Sequence, residues 1–348
     1  MFIRLTEIFI DIFCKYAIFR VTRPCTPLNN ASHAGLFFCP NDFQEGKLIF
    51  SKPPRTPEYL ARKLIQNGLQ GITELELTEI FQSINYYKLR GYTYPYQDNS
   101  VPGSPFLQNI KWSSIWNDYI FDLKLRALLF SQITHIETAL KTRMTLVSLT
   151  QGILWYQDNR LFRRQNAFNS DLALLQNDWQ RASEQFKNHY ISTYPESPNP
   201  PAWMIFETSS FGPISKFFKN MKPQLPEKES ICNYFGFEKI QADKLASWFQ
   251  NINIVRNICA HHGRLFSRHL TTAPYFMTPQ KGYWVSNWPN PCRIYASICI
   301  IQSLLNICYK ENTFATELKE LMKMVRKEQL PTMGFPQNWQ NEDLFNLK

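Results

Sequence analysis

A chain of 348 residues, 44% hydrophobic and 15% aromatic, has material for one or two domains with a proper core, which excludes wholesale disorder and any scaffold that depends on staples. Its 38 Lys and Arg against 28 Asp and Glu give a formal net charge of +10, favouring a polyanionic partner without separating nucleic acid from an anionic membrane. None of the eight cysteines forms a C-x-x-C pair, so no zinc ribbon or knuckle is expected. Cys259, Cys292, Cys299 and Cys308 sit in apolar runs, as reduced thiols do, and point to the cytoplasm.

The opening stretch, residues 2–21, is apolar but interrupted by Arg4, Glu7, Asp11, Lys15 and Arg20, so no membrane span is expected there. Leu5, Ile8, Ile12, Phe13, Tyr16 and Phe19 instead fit an amphipathic helix docked on protein. Prolines at 24, 27, 40, 53, 54 and 57 mark a loop or linker, and a compact unit begins near Leu48. Thr56-Pro57-Glu58 is a helix start; Leu60, Leu64, Ile65 and Leu69 predict a first helix, and Ile72 to Tyr87 a second, together a helical hairpin. Residues 91–110, with three prolines and two glycines, predict a loop.

The longest periodic segment follows. Trp116, Tyr119, Ile120, Leu123, Ala127, Phe130, Ile133, Leu140, Met144 and Val147 recur at spacings of three and four, predicting one long helix with these residues on its buried face. Further helical patterns cover about 169–190, 202–221, 240–262, 293–310 and 313–327, and only Tyr283-Trp284-Val285 suggests a strand. The class is all-α. The expected division is a 1–47 extension, a 48–110 hairpin and loop, a 111–330 helical domain and a 331–348 tail.

No Gly-rich phosphate loop, H-E-x-x-H, G-x-S-x-G or paired-carboxylate cluster is present, so neither a metal site nor a cofactor is expected. Residues 251–264 concentrate two of six histidines, two arginines and three asparagines at one helix end, with Gly263 as the stop. At 100° per residue, Leu245, Trp248, Ile252, Val255 and Cys259 form the buried stripe, and Asn253, Asn257, His261 and Arg264 a polar ridge. Arg256 falls near the stripe, where an unpaired guanidinium is costly, so it requires an anion. Two anions fit: the carboxylate of Glu137 on the long helix, or an RNA phosphate, with His261 moving a proton at neutral pH and Asn257 orienting its ring.

Arg256-Asn-Ile-Cys-Ala-His261 resembles the R-x4-6-H motif of the HEPN ribonuclease superfamily. Around it, Ile84-Asn-Tyr-Tyr-Lys-Leu-Arg-Gly-Tyr-Thr-Tyr-Pro-Tyr96, Ile136-Glu-Thr-Ala-Leu-Lys-Thr-Arg143, Pro201-Ala-Trp-Met-Ile-Phe-Glu207, Ser210-Phe-Gly212 and Met333-Gly-Phe-Pro-Gln-Asn-Trp339 are similar, in order, to blocks of the Abi-like family, the AbiD and AbiF type of bacterial abortive-infection proteins. The resemblance spans about 48–345. It implies a HEPN-type helical bundle that cleaves RNA without a metal in phage defence. It further implies a homodimer that unites two motifs, and a small non-coding RNA or an antitoxin as partner. Arg256, His261 and Asn257 carry over as catalytic residues, supported by Glu137, Glu207 and His262.

For RNA contacts, Tyr86, Tyr87, Lys88, Arg90 and Tyr92 interleave rings with cations, as stacking on unpaired bases requires, and Arg264 and Arg268 follow the motif as phosphate contacts. Two rival readings remain open: a non-catalytic RNA- or partner-binding module with Arg256 held by Glu137, and a membrane-acting toxin working through residues 2–21.

Overall fold

The structure, a computed structural model, describes residues 53–275 and 284–346. The amphipathic segment 2–21 and Tyr283 lie outside these. Among the described residues the regular elements are helices, and β-pairing is limited to isolated bridges such as Gln97 with Phe106.

Helix α1 (Pro57–Gln66) starts as its sequence predicts, with Pro57 in the first turn and the Thr56 hydroxyl accepting from the Tyr59 N–H at 3.3 Å. Helix α2 (Glu74–Ser83) opens on a reciprocal box in which Glu76 accepts from the Thr73 N–H (2.9 Å) and Thr73 from that of Glu76 (3.2 Å). The two form the expected hairpin. The second helix stops short of Tyr87, however. Ile84 turns extended, the Asn85 side chain caps the Tyr87 N–H at 2.8 Å, and a separate α3 (Tyr86–Thr93) begins, running into the segment predicted as loop.

Helix α4 (Trp112–Leu146) is 35 residues long, about 52 Å at 1.5 Å per residue. Its buried face differs from the predicted stripe in the first half. Ile115, Asp118, Asp122, Leu125, Arg126, Leu129 and Gln132 point inward, while Leu123 is 41% exposed. Hydropathy misplaced the face because polar residues occupy it.

Around α4 the chain winds α5 (Gln165–Arg181), α6 (Gln185–Thr193), α7 (Ala202–Thr208), α8 (Phe211–Asn220), α9 (Pro226–Tyr234), α10 (Ala242–Ala260), α11 (Ile294–Cys308) and α12 (Phe314–Leu321). All but α5 and α6 pack directly on α4, and α5 packs on α7 and α8. The patterns at 169–190 and 202–221 are thus each two helices. The C-terminal residues are core: Tyr295 of α11 meets Phe335 (ring centroids 4.6 Å), Phe335 meets Trp339 (5.3 Å) and Trp339 meets Phe345 (5.3 Å).

Candidate active site and its support

Helix α10 buries Leu245, Trp248, Ile252, Val255 and Cys259, the stripe its sequence predicts. That fixes Arg256 on the flank facing α4, its side chain 29% exposed. The guanidinium lies over the Phe130 ring at 5.5 Å, and its Nε is 3.9 Å from a carboxylate oxygen of Glu137. That distance is an ion pair but not a hydrogen bond. Arg256 Nε is buried with no hydrogen-bond partner, and its Nη1 reaches Asn257 Oδ1 only at 3.5 Å. Glu137 is also shared with Lys141 (3.5 Å), whose ammonium donates to the backbone carbonyl of Glu207 at 3.1 Å. Two cations therefore face one carboxylate, leaving local positive charge. The Glu207 carboxylate enters only through its helix, since it is the backbone that takes the contact.

His261 caps α10, its N–H donating to the Asn257 carbonyl at 3.0 Å, and is exposed. The stop itself is not made by Gly263. His262 takes the left-handed conformation (φ 56°) and donates to Cys259 O (3.0 Å), while Gly263 donates to Ile258 O (2.8 Å), the paired bonds of a Schellman ending. Space at Gly263 is tight: a Cβ there would meet Ile258 Cγ2 at 3.1 Å. Because the helix has ended, Arg264 leaves the predicted ridge and donates to Gly91 O of α3 at 2.8 Å. A Cβ on Gly91 would press on that guanidinium at 3.2 Å.

The strands of chain just past the motif are tethered by a group that sequence reasoning missed. Asp122, fully buried, accepts from the N–H groups of Leu265 (3.1 Å) and Phe266 (2.7 Å), from the Tyr92 hydroxyl and from Arg126. Four donors suit an acceptor-only carboxylate. Burial pushes the Asp122 pKa up, against the pull of Arg126, Tyr92 and the two N–H groups. Arg126 also reaches Gly263 O at 3.4 Å. The available signal was the i,i+4 acid–base pair in a helix, which the misplaced apolar face assigned to the wrong side.

The predicted RNA-contact set divides. Tyr92 is 1% exposed, its ring on Tyr119 (5.5 Å), so its role is support and not base stacking. Tyr86 is half-buried against Phe81, Arg90 turns to Gln97 and the Tyr94 ring, and Arg264 is held by Gly91. Tyr87, at 78% exposure, is open to solvent, as is Arg268. Lys88 lies near Arg126 and Asp122; burial first, then Arg126, lowers its pKa. Burial, Lys88, Arg126 and His261 likewise hold His262 below the ordinary histidine range. A cavity of about 300 Å³ lined by His135, Thr142, Arg143, Tyr234 and Cys308 is elsewhere; by helical position its α4 residues lie on the flank away from Glu137. No cluster of metal-ligating side chains occurs among the described residues, and no described helix is long and apolar enough to cross a membrane.

An all-helical bundle with an Arg-x4-His pair at a helix end, anchored to a distant aromatic-basic block, defines the class. The model of the family described as Abi-like protein matches residues 79–267, more than half the chain. The chain therefore belongs to the Abi-like family, which implies a part in abortive infection, the bacterial defence against phage. No curated protein and no solved structure matches it.

Proposed function

We propose that this protein is a HEPN-type endoribonuclease acting in abortive infection. The 2′-hydroxyl of the RNA attacks the adjacent phosphorus, the bond to O5′ breaks, and the products end in a 2′,3′-cyclic phosphate and a 5′-hydroxyl. The nucleophile belongs to the substrate, so this route needs no metal-bound water. Arg256 neutralises charge on the phosphoryl oxygens and His261 does acid–base work. Asn257, one turn before His261, accepts the His261 backbone N–H through its carbonyl and reaches Arg256 Nη1 through its side-chain oxygen at 3.5 Å, so its contacts are with the cap backbone and Arg256 and not with the His261 ring that the sequence expectation gave it. A homodimer pairs two such sets across a two-fold axis.

The observation that carries this reading is the incomplete pairing of Arg256: part-exposed, 3.9 Å from Glu137, with an unsatisfied Nε. A guanidinium that served only the fold would be expected to close a hydrogen-bonded fork with its carboxylate. The +10 net charge supports a polyanionic substrate. Labelled RNA incubated with wild type, Arg256→Ala and His261→Ala in the presence of a chelator is the test. Cleavage should fall by about 10²- to 10⁴-fold in the variants, with cyclic-phosphate ends from the wild type. Undiminished cleavage by both variants overturns it.

The contact between Glu137 and Arg256 favours a second reading, a non-catalytic RNA- or partner-binding module. That reading requires wild type to retain RNA or a protein partner while forming no cleavage product.

A further inference from the structure

The turn that ends α10 is closed by a histidine at the one position where the backbone favours glycine. His262 occupies the left-handed residue of the Schellman ending (φ 56°), where any side chain costs about 1 kcal/mol and glycine costs nothing. Stopping the helix does not require an imidazole. Nor is glycine foreign to the segment, since Gly263 stands next to it for an independent packing reason.

The strained residue is firmly held. Asp122 grips the Leu265 and Phe266 N–H groups, Arg126 touches the Gly263 carbonyl, and Arg264 is anchored on Gly91 O. Strain of this kind persists where its surroundings over-determine it, and it concentrates at functional sites. The ring is exposed and follows His261 directly in the chain.

We infer that His262 is a second catalytic imidazole, which takes the proton of the RNA 2′-hydroxyl while protonated His261 returns one to the leaving O5′. This rests on the ribonuclease reading. The step balances: O2′ loses its proton to His262 and forms the new bond to phosphorus, and O5′ leaves with the bonding pair and the proton of His261. The charged groups around His262 fit a neutral acceptor. Lys88 of α3, Arg126 of α4 and His261 at the cap of α10 each disfavour its cationic form, Arg264 two residues on is held at Gly91 O, the Arg268 guanidinium lies beside Gly263, and Asp122, the acid nearby, is engaged by Arg126 and Tyr92.

The test compares wild type, His262→Gly, His262→Asn and His261→Ala for melting temperature, RNA affinity, and cleavage rate against pH. His262→Gly should melt at or above the wild-type temperature, because glycine removes the strain, and yet lose about 10²- to 10⁴-fold in kcat. His262→Asn, which tolerates the same backbone, should be equally slow, and both should lose the acidic limb of the rate profile set by a base titrating below the ordinary histidine range. Wild-type cleavage by His262→Gly alongside an inactive His261→Ala overturns this inference and leaves the ribonuclease reading standing. A rise in KM at constant kcat also overturns it, by making His262 a binding residue only. Full activity in His261→Ala removes His261 from the cleavage chemistry and, with it, this two-imidazole inference.

Discussion

Replacing Asp122 by Ala would leave a buried guanidinium at Arg126, a buried hydroxyl at Tyr92 and two backbone N–H groups without their acceptor. Removing one partner of a buried pair costs about 3–5 kcal/mol, so Asp122→Ala should show a large fall in denaturant midpoint. Tyr92→Phe deletes one donor and keeps the ring, and should cost roughly 1.5–3 kcal/mol. If Tyr92→Phe instead weakened RNA binding without moving the midpoint, the support role given to Tyr92 would be wrong. At this scale the sequence revealed Arg256 and its partner Glu137, because both follow from helical angles about well-read stripes. It hid Asp122, whose burial depends on contacts with segments some 30 residues before and 140 after it, visible only when folded.

Helix ends show the same division between local and distant causes. The start of α1 is written in Thr56-Pro57 and was legible, whereas that of α2, expected from Ile72, is set at Glu74 by the Thr73-x-x-Glu76 box. The break between α7 and α8 is stabilised from outside: Asp178 of α5 accepts from the N–H and hydroxyl of Ser210, both at 3.0 Å. No reading of residues 202–221 alone contains that bond. A similar device joins α8 to α9, where the wholly buried Lys228 ammonium donates to Lys219 O (3.2 Å) and Met221 O (2.7 Å), capping the end of α8. Burial, ahead of the charge of Arg163, pushes the Lys228 pKa down to about 8. An unfolded lysine titrates near 10.4, so between about pH 8 and 10.4 the unfolded chain holds more protons than the folded one. The Lys228 contribution to stability therefore rises with pH across that window. Urea midpoints at pH 7.5 and 9.5 should show this increment in wild type and lack it in Lys228→Met, which melts lower for want of the cap. An identical pH slope in both proteins would count against the assignment.

Across the whole molecule, the C-terminal segment behaves as an interior layer. Met333, Phe335, Trp339, Leu344 and Phe345 are all buried, and at about 2 kcal/mol or more for each large side chain their loss rivals the total stability of a typical fold. A chain truncated after residue 330 should not yield soluble, cooperatively melting protein; a sharp melt near the wild-type temperature would refute this. The all-α class was legible because helical periodicity dominates the sequence. The packing of residues 331–346 was not legible, because the segment lacks a long repeat and its aromatic residues pair with one another and with Tyr295 of α11 only once the chain is folded.

The left-handed histidine at the end of α10 has a consequence for how this sequence drifts. A library diversified at codon 262 and selected solely for heat resistance or protease survival should enrich glycine, since chain geometry rewards it. The same library selected for the ability to halt an infected culture should retain histidine. Opposite winners under the two pressures would expose an evolutionary tension at a single codon.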